Sequence, residues 1–269
     1  TNNVITVLGD EIIYCSEADS SNFSGNMLTG SGRGIYANNA QGSTISNNTI
    51  ESDNGEAAIY MDNCDDCEFD GNTIINRPHR GIYSNNSDGT TFTNNTLDVH
   101  ETGIEAQSGS NLIIEHNTIT NFREYGINFH SSENSLVNYN HLSGADEGEW
   151  KRGINNTESN QDAQVNYNHI ELLGTQGGYY TDQHGIEVHD SEVVGDSIFI
   201  YINNQYRSDG RGIRADRSII DSNYVNLQDH SDSGDMTYAI ESYANTNDRS
   251  TITNNTIIAI RETRGIWAS

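Results

Sequence analysis

Residues 34–50 read GIYANNAQGSTISNNTI, and residues 81–97 read GIYSNNSDGTTFTNNTL. Residues 58–74, 103–119 and 126–142 align with both segments without a gap. A segment that recurs at a nearly constant interval is typical of a solenoid, in which each copy forms one turn. The repeat therefore decides the fold of this chain.

The repeat runs along the whole chain when the first residue of each copy is called position 0. Copies are separated by 22 to 32 residues, which gives ten turns and the start of an eleventh. Position 0 is occupied in order by Ile12, Gly34, Ala58, Gly81, Gly103, Gly126, Gly153, Gly185, Gly212, Ala239 and Gly265.

Apolar residues fall at fixed places within each copy. Ile dominates position +1, and further apolar residues recur at +11 and +16. Gly, Asn, Ser and Asp separate these short apolar runs, which predicts three strands of a few residues per turn. The Asn before each Thr-Ile or Thr-Leu pair (Asn48, Asn72, Asn95, Asn117) is expected at a left-handed corner and in a hydrogen-bonded stack along the axis.

Strands this short cannot bury a face alone, so each turn has to stack on the next. The sequence resembles the right-handed parallel β-helix family throughout its length, which implies an all-β solenoid of about ten turns. We expect one β-helix domain over residues 1–269. Because Ile266 and Trp267 begin another turn without a cap, we expect this domain to be excised from, or to continue into, a larger protein. Further domains or subunits would then cap its ends.

The register also predicts the surface, since positions +1 and +3 face inward while +2 and +4 face outward. Position +3 places Cys15 in the core, away from Cys64 and Cys67. We interpret the Cys64-Asp-Asp-Cys67 segment as a surface turn, with a redox or metal site as the alternative.

The outward +2 row begins with four tyrosines and then becomes polar. A tyrosine row is either structural stacking or a platform for sugar rings. Position −1 holds five of the twelve arginines. This row either balances the acidic charge of the chain or binds anions. The predicted substrate-binding residues from these rows and the adjacent loops are Tyr36, Tyr60, Tyr83, Glu105, Arg152, Arg211, Tyr180 and Trp150.

Four insertions lengthen the later turns just before position 0. They read SGADEGEWKR, ELLGTQGGYYTDQH, NQYRSDGR and QDHSDSGDMTY. All precede the same strand, so we expect long loops that wall one face in the C-terminal half. The aromatic residues expected at the rim of this cleft are Trp150, Tyr179, Tyr180, Tyr206 and Tyr238.

Titratable residues converge between these insertions. Adjacent turns lie about 4.8 Å apart, so Glu187, His189, Arg214 and Asp216 can share one site. His189 suits a general base near neutral pH. Arg214 or Arg211 could neutralise a substrate carboxylate and acidify the proton beside it. The opposing acid would come from Tyr125, His130 or His184.

The run His184-Gly-Ile-Glu187-Val-His189-Asp190 resembles the YG-[FI]-DPH[DE] signature of mannuronan C5-epimerases, which are right-handed β-helix enzymes. The resemblance implies that Glu187 and His189 stand at the catalytic Asp and His of that family, and Asp216 at a carboxylate one turn later. His184 stands in place of the Tyr. Because epimerases and polysaccharide lyases share proton abstraction beside a carboxylate, the resemblance implies a chemistry and leaves the product open.

The charge balance is strongly acidic, with 13 basic and 39 acidic residues and a net charge of −26. Such a field disfavours nucleic acid and anionic membranes, and no apolar run approaches the ~18 residues of a membrane span. It suits saline surroundings, such as a marine source, and an extracellular or cell-surface protein. It also repels an acidic polysaccharide, a conflict that Ca²⁺ bound by carboxylates near the site, or high salt, would relieve. We expect no organic cofactor.

Three functions remain open from the sequence. The first is an enzyme acting on an acidic polysaccharide by C5 proton abstraction, as lyase or epimerase. The second is a glycoside hydrolase or tailspike-like depolymerase that pairs Glu187 with Asp216 or Glu241. The third is a non-catalytic adhesin or carbohydrate-binding rod, in which replacement of Glu187 or His189 would alter stability at most.

Overall fold

A computed structural model describes the chain over most of its length. The described residues are 1–7, 9, 11–52, 56–147, 150–156, 162–174, 180–203, 207–231, 237–243, 250–260 and 263–268. Regular structure in these residues is entirely β, and none of them lies in a helix long and apolar enough to span a membrane.

The strands are short, and three of them make one turn. In chain order they are β1 (Val4–Val7), β2 (Glu11–Ser16), β3 (Asn22–Ser24), β4 (Met27–Gly30), β5 (Arg33–Asn38), β6 (Thr44–Ser46), β7 (Thr49–Ser52), β8 (Ala57–Asp62), β9 (Glu68–Asp70), β10 (Thr73–Ile75), β11 (Arg80–Asn85), β12 (Thr91–Thr93), β13 (Thr96–Asp98), β14 (Thr102–Gln107), β15 (Ile113–Glu115), β16 (Thr118–Phe122), β17 (Tyr125–His130), β18 (Leu136–Asn138), β19 (His141–Gly144), β20 (Trp150–Asn156), β21 (Ala163–Asn166), β22 (His169–Gly174), β23 (Tyr180–His189), β24 (Ser191–Val194), β25 (Ser197–Ile202), β26 (Arg207–Asp216), β27 (Ile219–Asp221), β28 (Tyr224–Asp229), β29 (Thr237–Tyr243), β30 (Thr251–Thr253), β31 (Thr256–Ile260) and β32 (Thr263–Ala268).

Every third strand belongs to the same parallel sheet. Sheet 1 runs from β1 to β31 and sheet 2 from β2 to β32, each with eleven described strands, and sheet 3 runs from β3 to β30 with ten. The architecture is a right-handed parallel β-helix, as the repeat predicted, and its turn count is close to the predicted ten. Sheet 2 carries positions −1 to +4, so its outer face is where the candidate site lies.

The core is a set of stacked apolar rows. The +1 row is completely buried at Ile35, Ile59 and Ile82, and these residues pair in register between neighbouring strands. On sheet 3, Phe69 and Phe92 stack at 4.9 Å. The predicted inward positions are therefore confirmed.

A row of asparagines runs along the interior corner between sheets 3 and 1. Each side chain hydrogen-bonds to the next turn, as in Asn72 Nδ2 to Asn95 Oδ1 at 3.0 Å and Asn95 Nδ2 to Asn117 Oδ1 at 2.9 Å. The hydrogen bonds along the axis are thus confirmed, but the left-handed backbone was predicted at the wrong residue, one position after the residue that adopts it. The residues with positive φ are those just before, such as Asn47 and Asn94, because the buried amide has to point inward while the preceding residue turns the chain.

The insertions partly extend sheet 2. β23 and β26 reach ten residues each, and Tyr180–Gln183 pairs with Arg207–Gly210. Four stretches of the inserted segments, 148–149, 175–179, 204–206 and 232–236, lie outside the described residues, as do Tyr179, Tyr206 and the side chain of Tyr180. The wall of long loops stays a prediction.

The interpretation of Cys64-Asp-Asp-Cys67 as a surface turn is wrong for its two cysteines. Cys64 is 0% and Cys67 1% exposed, and both belong to the apolar core. Both side chains point inward because positions +6 and +9 flank the tip of the turn, and only the two aspartates between them face outward. Cys15 packs against the same core.

The glycines at position 0 allow successive turns to approach closely. A Cβ on Gly126 would lie 2.6 Å from the Gly153 carbonyl oxygen, whereas a Cβ on Gly265 would meet nothing within 4 Å. We expect Gly126→Ala to lower the free energy of unfolding by about 1–3 kcal/mol, since a packed interior has to shift to accept the methyl group. Gly265→Ala, at the same repeat position, should be nearly neutral. Equal urea midpoints for the two variants would contradict the prediction.

Candidate functional site

The first part of the outer face of sheet 2 is a continuous tyrosine stack. Ring centroids are 5.2 Å apart for Tyr14 and Tyr36, 5.1 Å for Tyr36 and Tyr60, and 4.8 Å for Tyr60 and Tyr83. The Arg33 guanidinium lies over Tyr60 at 4.7 Å. Burial raises the pKa of Tyr83 to about 12, so this ring stays neutral. The strip offers a flat aromatic surface with a cation at its side.

Glu105 ends the strip as a buried carboxylate. Arg80 Nε lies 2.5 Å from its Oε2, and Gln107 Nε2 donates to Oε1 at 2.7 Å. Burial by itself would raise the pKa of Glu105, but the hydrogen bonds and charges of His130, Arg80 and Gln107 hold it below its ordinary value. His130 Nε2 is 4.0 Å from Glu105 Oε1. If Glu105 contributes to substrate binding as predicted, it does so by holding Arg80 in place.

Glu187 is the centre of a second and larger ionic cluster. Arg152 Nε, His184 Nδ1 and Arg214 Nη1 each lie 2.7 Å from its oxygens. Burial opposes ionisation, yet the contacts with His184, Arg152 and Arg214 prevail and lower the pKa of Glu187 to about 2. Glu187 is therefore a permanent carboxylate near neutral pH, and it holds three side chains in place.

His184 lies behind Glu187 and is only 1% exposed. Its Nε2 is 2.8 Å from Asp182 Oδ1 and 3.1 Å from Arg211 Nη1. Arg152 Nη2 donates to Asp182 Oδ2 at 3.1 Å. The imidazole is thus enclosed by charged groups on both sides, which suits a positioning residue better than a group that meets substrate.

Arg211 joins this cluster to the next turn. It pairs with Asp209 and with Glu241, which is 2% exposed, and Arg214 Nε lies 3.6 Å from Glu241 Oε2. Burial lowers the pKa of the Arg211 guanidinium, but its two carboxylate partners outweigh burial and raise the pKa. Arg214 therefore bridges Glu187 on the turn before it and Glu241 on the turn after it.

The accessible edge of the cluster includes His189 and Arg214, with Asp216 between His189 and Arg217. His189 Nδ1 is 3.6 Å from Asp216 Oδ2, and the side chains of His189 and Arg214 are 34% and 36% exposed. Arg217 Nη1 donates to Asp216 Oδ2 at 2.8 Å, and Arg217 also binds both oxygens of Asp190 at 2.7 Å. An imidazole, a carboxylate and a guanidinium thus meet solvent on adjacent strands.

Trp150 and Tyr125 border the cluster on the preceding turns. Their rings meet edge to face at 5.2 Å, and the Arg152 guanidinium lies 5.7 Å from the Trp150 ring. Burial raises the pKa of Tyr125. Between Tyr83 and Glu187 the outward row passes through Glu105, Asn128 and Asn155, four strand spacings or about 19 Å. The tyrosine strip and the ionic cluster are therefore separate parts of one face.

Within the described part of the chain, two groups of side chains have donor atoms within 4.8 Å of one another and could hold a metal ion: Asp182, His184 and Asp209, and His79, His100 and Glu101. In the first group Arg211 contacts both His184 and Asp209, and in the second Arg123 Nη1 lies 2.9 Å from His100 Nε2. A guanidinium already supplies positive charge to each group.

Sequence reasoning named Glu187, His189, Arg214 and Asp216 together but missed Asp182, Asp209 and Arg217. Asp182 and Asp209 stand two residues before His184 and Arg211. The repeated pattern of an acid two residues before a cationic −1 residue was a signal that could have located both.

The family described as right handed beta helix region matches residues 1–106 and 57–207. Among solved structures, the Streptococcus pneumoniae surface protein and adhesin PfbA is 11% identical, with 99% of this chain and 81% of that chain aligned at a TM-score of 0.61. The Dettilon tailspike protein is 12% identical over 99% of this chain and 61% of its own, at a TM-score of 0.57.

A Family 28 exopolygalacturonase from Yersinia enterocolitica is 10% identical over 88% of this chain and 47% of its own, at a TM-score of 0.51. No curated protein matches the chain. At these identities the structural likeness concerns the fold. Because the family match covers more than half of the sequence, the chain belongs to the right-handed β-helix family.

Proposed function

We propose that the protein acts on an acidic polysaccharide by abstracting the C5 proton of a uronate residue, as a lyase or an epimerase. The observation that carries this proposal is the pair of partly exposed His189 and half-buried Asp216 on the same outer face as Arg214. A base next to a cation is the arrangement that proton abstraction beside a carboxylate requires.

His189 is the general base of this proposal. Its Nδ1 side faces the Asp216 carboxylate, which favours the tautomer that leaves Nε2 free to accept a proton. Asp216 also stabilises the imidazolium that forms. Arg217, bound to Asp216 and Asp190, holds the carboxylate in position.

Arg214 is the proposed partner of the substrate carboxylate. Proton abstraction moves negative charge onto that carboxylate, so a guanidinium beside it stabilises the transition state. Glu187 and Glu241 fix Arg214 from two turns. The proton donor on the other face of the sugar is proposed to be Tyr125 or His130, since His184 is enclosed.

Six of the predicted substrate-binding residues form the proposed binding track. Trp150, Tyr83, Tyr60 and Tyr36 present rings on the same outer face and would stack against sugar rings. Arg152 and Arg211 support the track from below as ion-pair partners. A polysaccharide substrate makes an extracellular or cell-surface location part of this proposal.

Calcium does not fit the described carboxylates around His189. Asp190 and Asp216 contact Arg217, and Glu187 contacts two further arginines. Ca²⁺ prefers six to eight oxygen ligands without competing cations. Calcium therefore has no part in the proposed mechanism.

A paired-carboxylate hydrolase is less well supported by this geometry. It needs one carboxylic acid with a raised pKa, whereas the pKa of Glu187 is lowered to about 2. Glu241 is buried against Arg211. A non-catalytic surface rod, suggested by the likeness to an adhesin, is the second candidate and an outcome of the following test.

The test is proton NMR of alginate and of pectate incubated with the protein, with calcium and with a chelator. Alkene signals mean a lyase, and altered anomeric signals without cleavage mean an epimerase. We expect His189→Gln to lower the rate about a hundredfold or more. His141→Gln, an exposed histidine on sheet 1, is the matched control and should retain the wild-type rate. New reducing ends without alkene would favour the hydrolase, and no change in any polymer would favour the rod.

A further inference from the structure

Cys64 and Cys67 flank a tight turn at the interior corner between sheets 2 and 3. Asp65 and Asp66 form the turn between them. The first and fourth residues of a β-turn have Cα atoms within about 7 Å, close to the upper end of the range that a disulfide spans. Both sulfur atoms contact the backbone of the same residue, Ala40.

Serine fills the place of Cys64 in the next turn, as Ser87, and makes the same hydrogen bonds. The backbone N–H of Ala40 donates to Cys64 Sγ at 3.4 Å, and that of Cys64 donates to Ser87 Oγ at 3.1 Å. Cys64 Sγ then donates to Asp62 O at 3.3 Å, as Ser87 Oγ does to Asn85 O at 2.9 Å. A hydroxyl would therefore satisfy the fold at position 64.

The same substitution pattern holds at position 67. Cys67 Sγ donates to Ala40 O at 3.2 Å, and Ser43 Oγ one turn earlier donates to Ala18 O at 3.3 Å. Since serine meets both structural requirements, what the two cysteines add to this turn is the chemistry of sulfur.

The two thiols interact directly and ionise differently. The contact with Cys67 and the backbone hydrogen bonds lower the pKa of Cys64 despite its burial, and the same contact between the two side chains raises the pKa of Cys67. A thiol with a lowered pKa beside a thiol with a raised pKa is the arrangement from which disulfide chemistry starts, since the first ionises more readily and the second can resolve a mixed disulfide.

We propose that Cys64 and Cys67 are a redox-active dithiol that closes to a disulfide across this turn. With a small disulfide oxidant such as glutathione disulfide, the Cys64 thiolate attacks one sulfur and expels one glutathione thiolate. Cys67 then loses its proton and attacks Cys64 Sγ, which forms the protein disulfide and expels the second glutathione. Two electrons pass from the protein to the oxidant.

Cys15 provides an internal comparison. It lies on β2, two turns before β8, and burial raises its pKa, so it stays a thiol at neutral pH. It should remain reduced when the pair closes.

The experiment equilibrates the full chain with mixtures of glutathione and glutathione disulfide, in one arm folded and in a second arm refolded from urea. The protein is then quenched in acid, unfolded and alkylated. Trypsin releases Cys15 in residues 1–33 and both other cysteines in residues 34–80, since Pro78 protects Arg77. We expect peptide 34–80 to lose both alkylatable thiols and to be lighter by two hydrogen atoms, while Cys15 is alkylated.

Matched variants decide which thiols pair. Cys15→Ser should leave closure unchanged, and Cys64→Ser, which keeps the hydrogen bonds of the turn, should abolish it. Closure in the refolded arm alone still supports the proposal and assigns the slow step to opening of the buried turn. Two alkylated thiols in both arms, glutathione adducts without closure, or a disulfide that includes Cys15 would overturn it.

Discussion

Asp196→Asn is expected to raise the free energy of unfolding, and the gain should grow with pH. Asp196 occupies the asparagine row, where it is completely buried. Asn168 Nδ2 donates to Asp196 Oδ1 at 2.9 Å, as in every regular step of the row. Oδ2, which stands in the place of an amide nitrogen, has no hydrogen-bond partner among the described residues.

The chemistry of the row explains why an acid is costly there. An amide nitrogen at this place donates to the next Asn Oδ1 and to a backbone carbonyl, as Asn168 Nδ2 does to Asp196 and to Val137 O. A carboxylate can donate to neither, so only the protonated acid fits. Burial accordingly raises the pKa of Asp196 well above its ordinary value.

The direction of the pH effect follows from this raised pKa. Above the ordinary pKa the unfolded chain releases the proton while the folded chain keeps it, so stability falls as pH rises. The wild type should lose about 1.4 kcal/mol per pH unit from this group for as long as Asp196 stays protonated. Asp196→Asn removes that slope, and a series of urea unfolding curves from pH 4 to pH 8 measures it.

Asn140→Asp is the reverse control at another step of the same row, where Asn140 Nδ2 donates to Asn168 Oδ1 at 3.0 Å. It should acquire the pH-dependent loss that Asp196→Asn removes. Parallel stability curves for the wild type and Asp196→Asn across this pH range would show that Asp196 has another partner.

The repeat predicted the fold well because its information is local and redundant. Ile35, Ile59 and Ile82 occur at equivalent positions, and one register puts all of them inside. The asparagine corner was misplaced by one residue because Asn tolerates both a left-handed backbone and an inward amide. Only the hydrogen bonds between turns show which role Asn48 has.

The candidate site was predicted in composition but not in arrangement. Alternation placed Glu105, Glu187 and Glu241 on the outer face and implied exposure, yet all three are buried. Arginines of neighbouring turns cover them, since Arg80 pairs with Glu105, Arg152 and Arg214 pair with Glu187, and Arg211 pairs with Glu241. The alternation of inward and outward residues along one strand carries no information about how side chains on the next strand will cover them.

Glu187→Gln is expected to cost about 3 kcal/mol of unfolding free energy at neutral pH. The substitution keeps the shape of the side chain but leaves Arg152, Arg214 and His184 around a neutral amide. Removing one member of a buried ion pair typically costs 3–5 kcal/mol, because the remaining charges stay desolvated. The lowered pKa gives a similar figure, since 2.5 pH units between 4.5 and about 2 correspond to roughly 3 kcal/mol.

The pH dependence distinguishes this effect from simple mispacking. The pKa of Glu187 in the folded chain lies below that in the unfolded chain, so its stabilisation is complete above pH 4.5 and is lost as pH falls towards 2. Wild-type and Glu187→Gln unfolding curves should therefore converge in acid. Glu171→Gln, at an exposed carboxylate beside His169 on sheet 1, is the matched control and should change stability by less than about 0.5 kcal/mol. A constant gap between wild type and Glu187→Gln from pH 7 to pH 2 would mean that packing, and not the charge of Glu187, holds the cluster together.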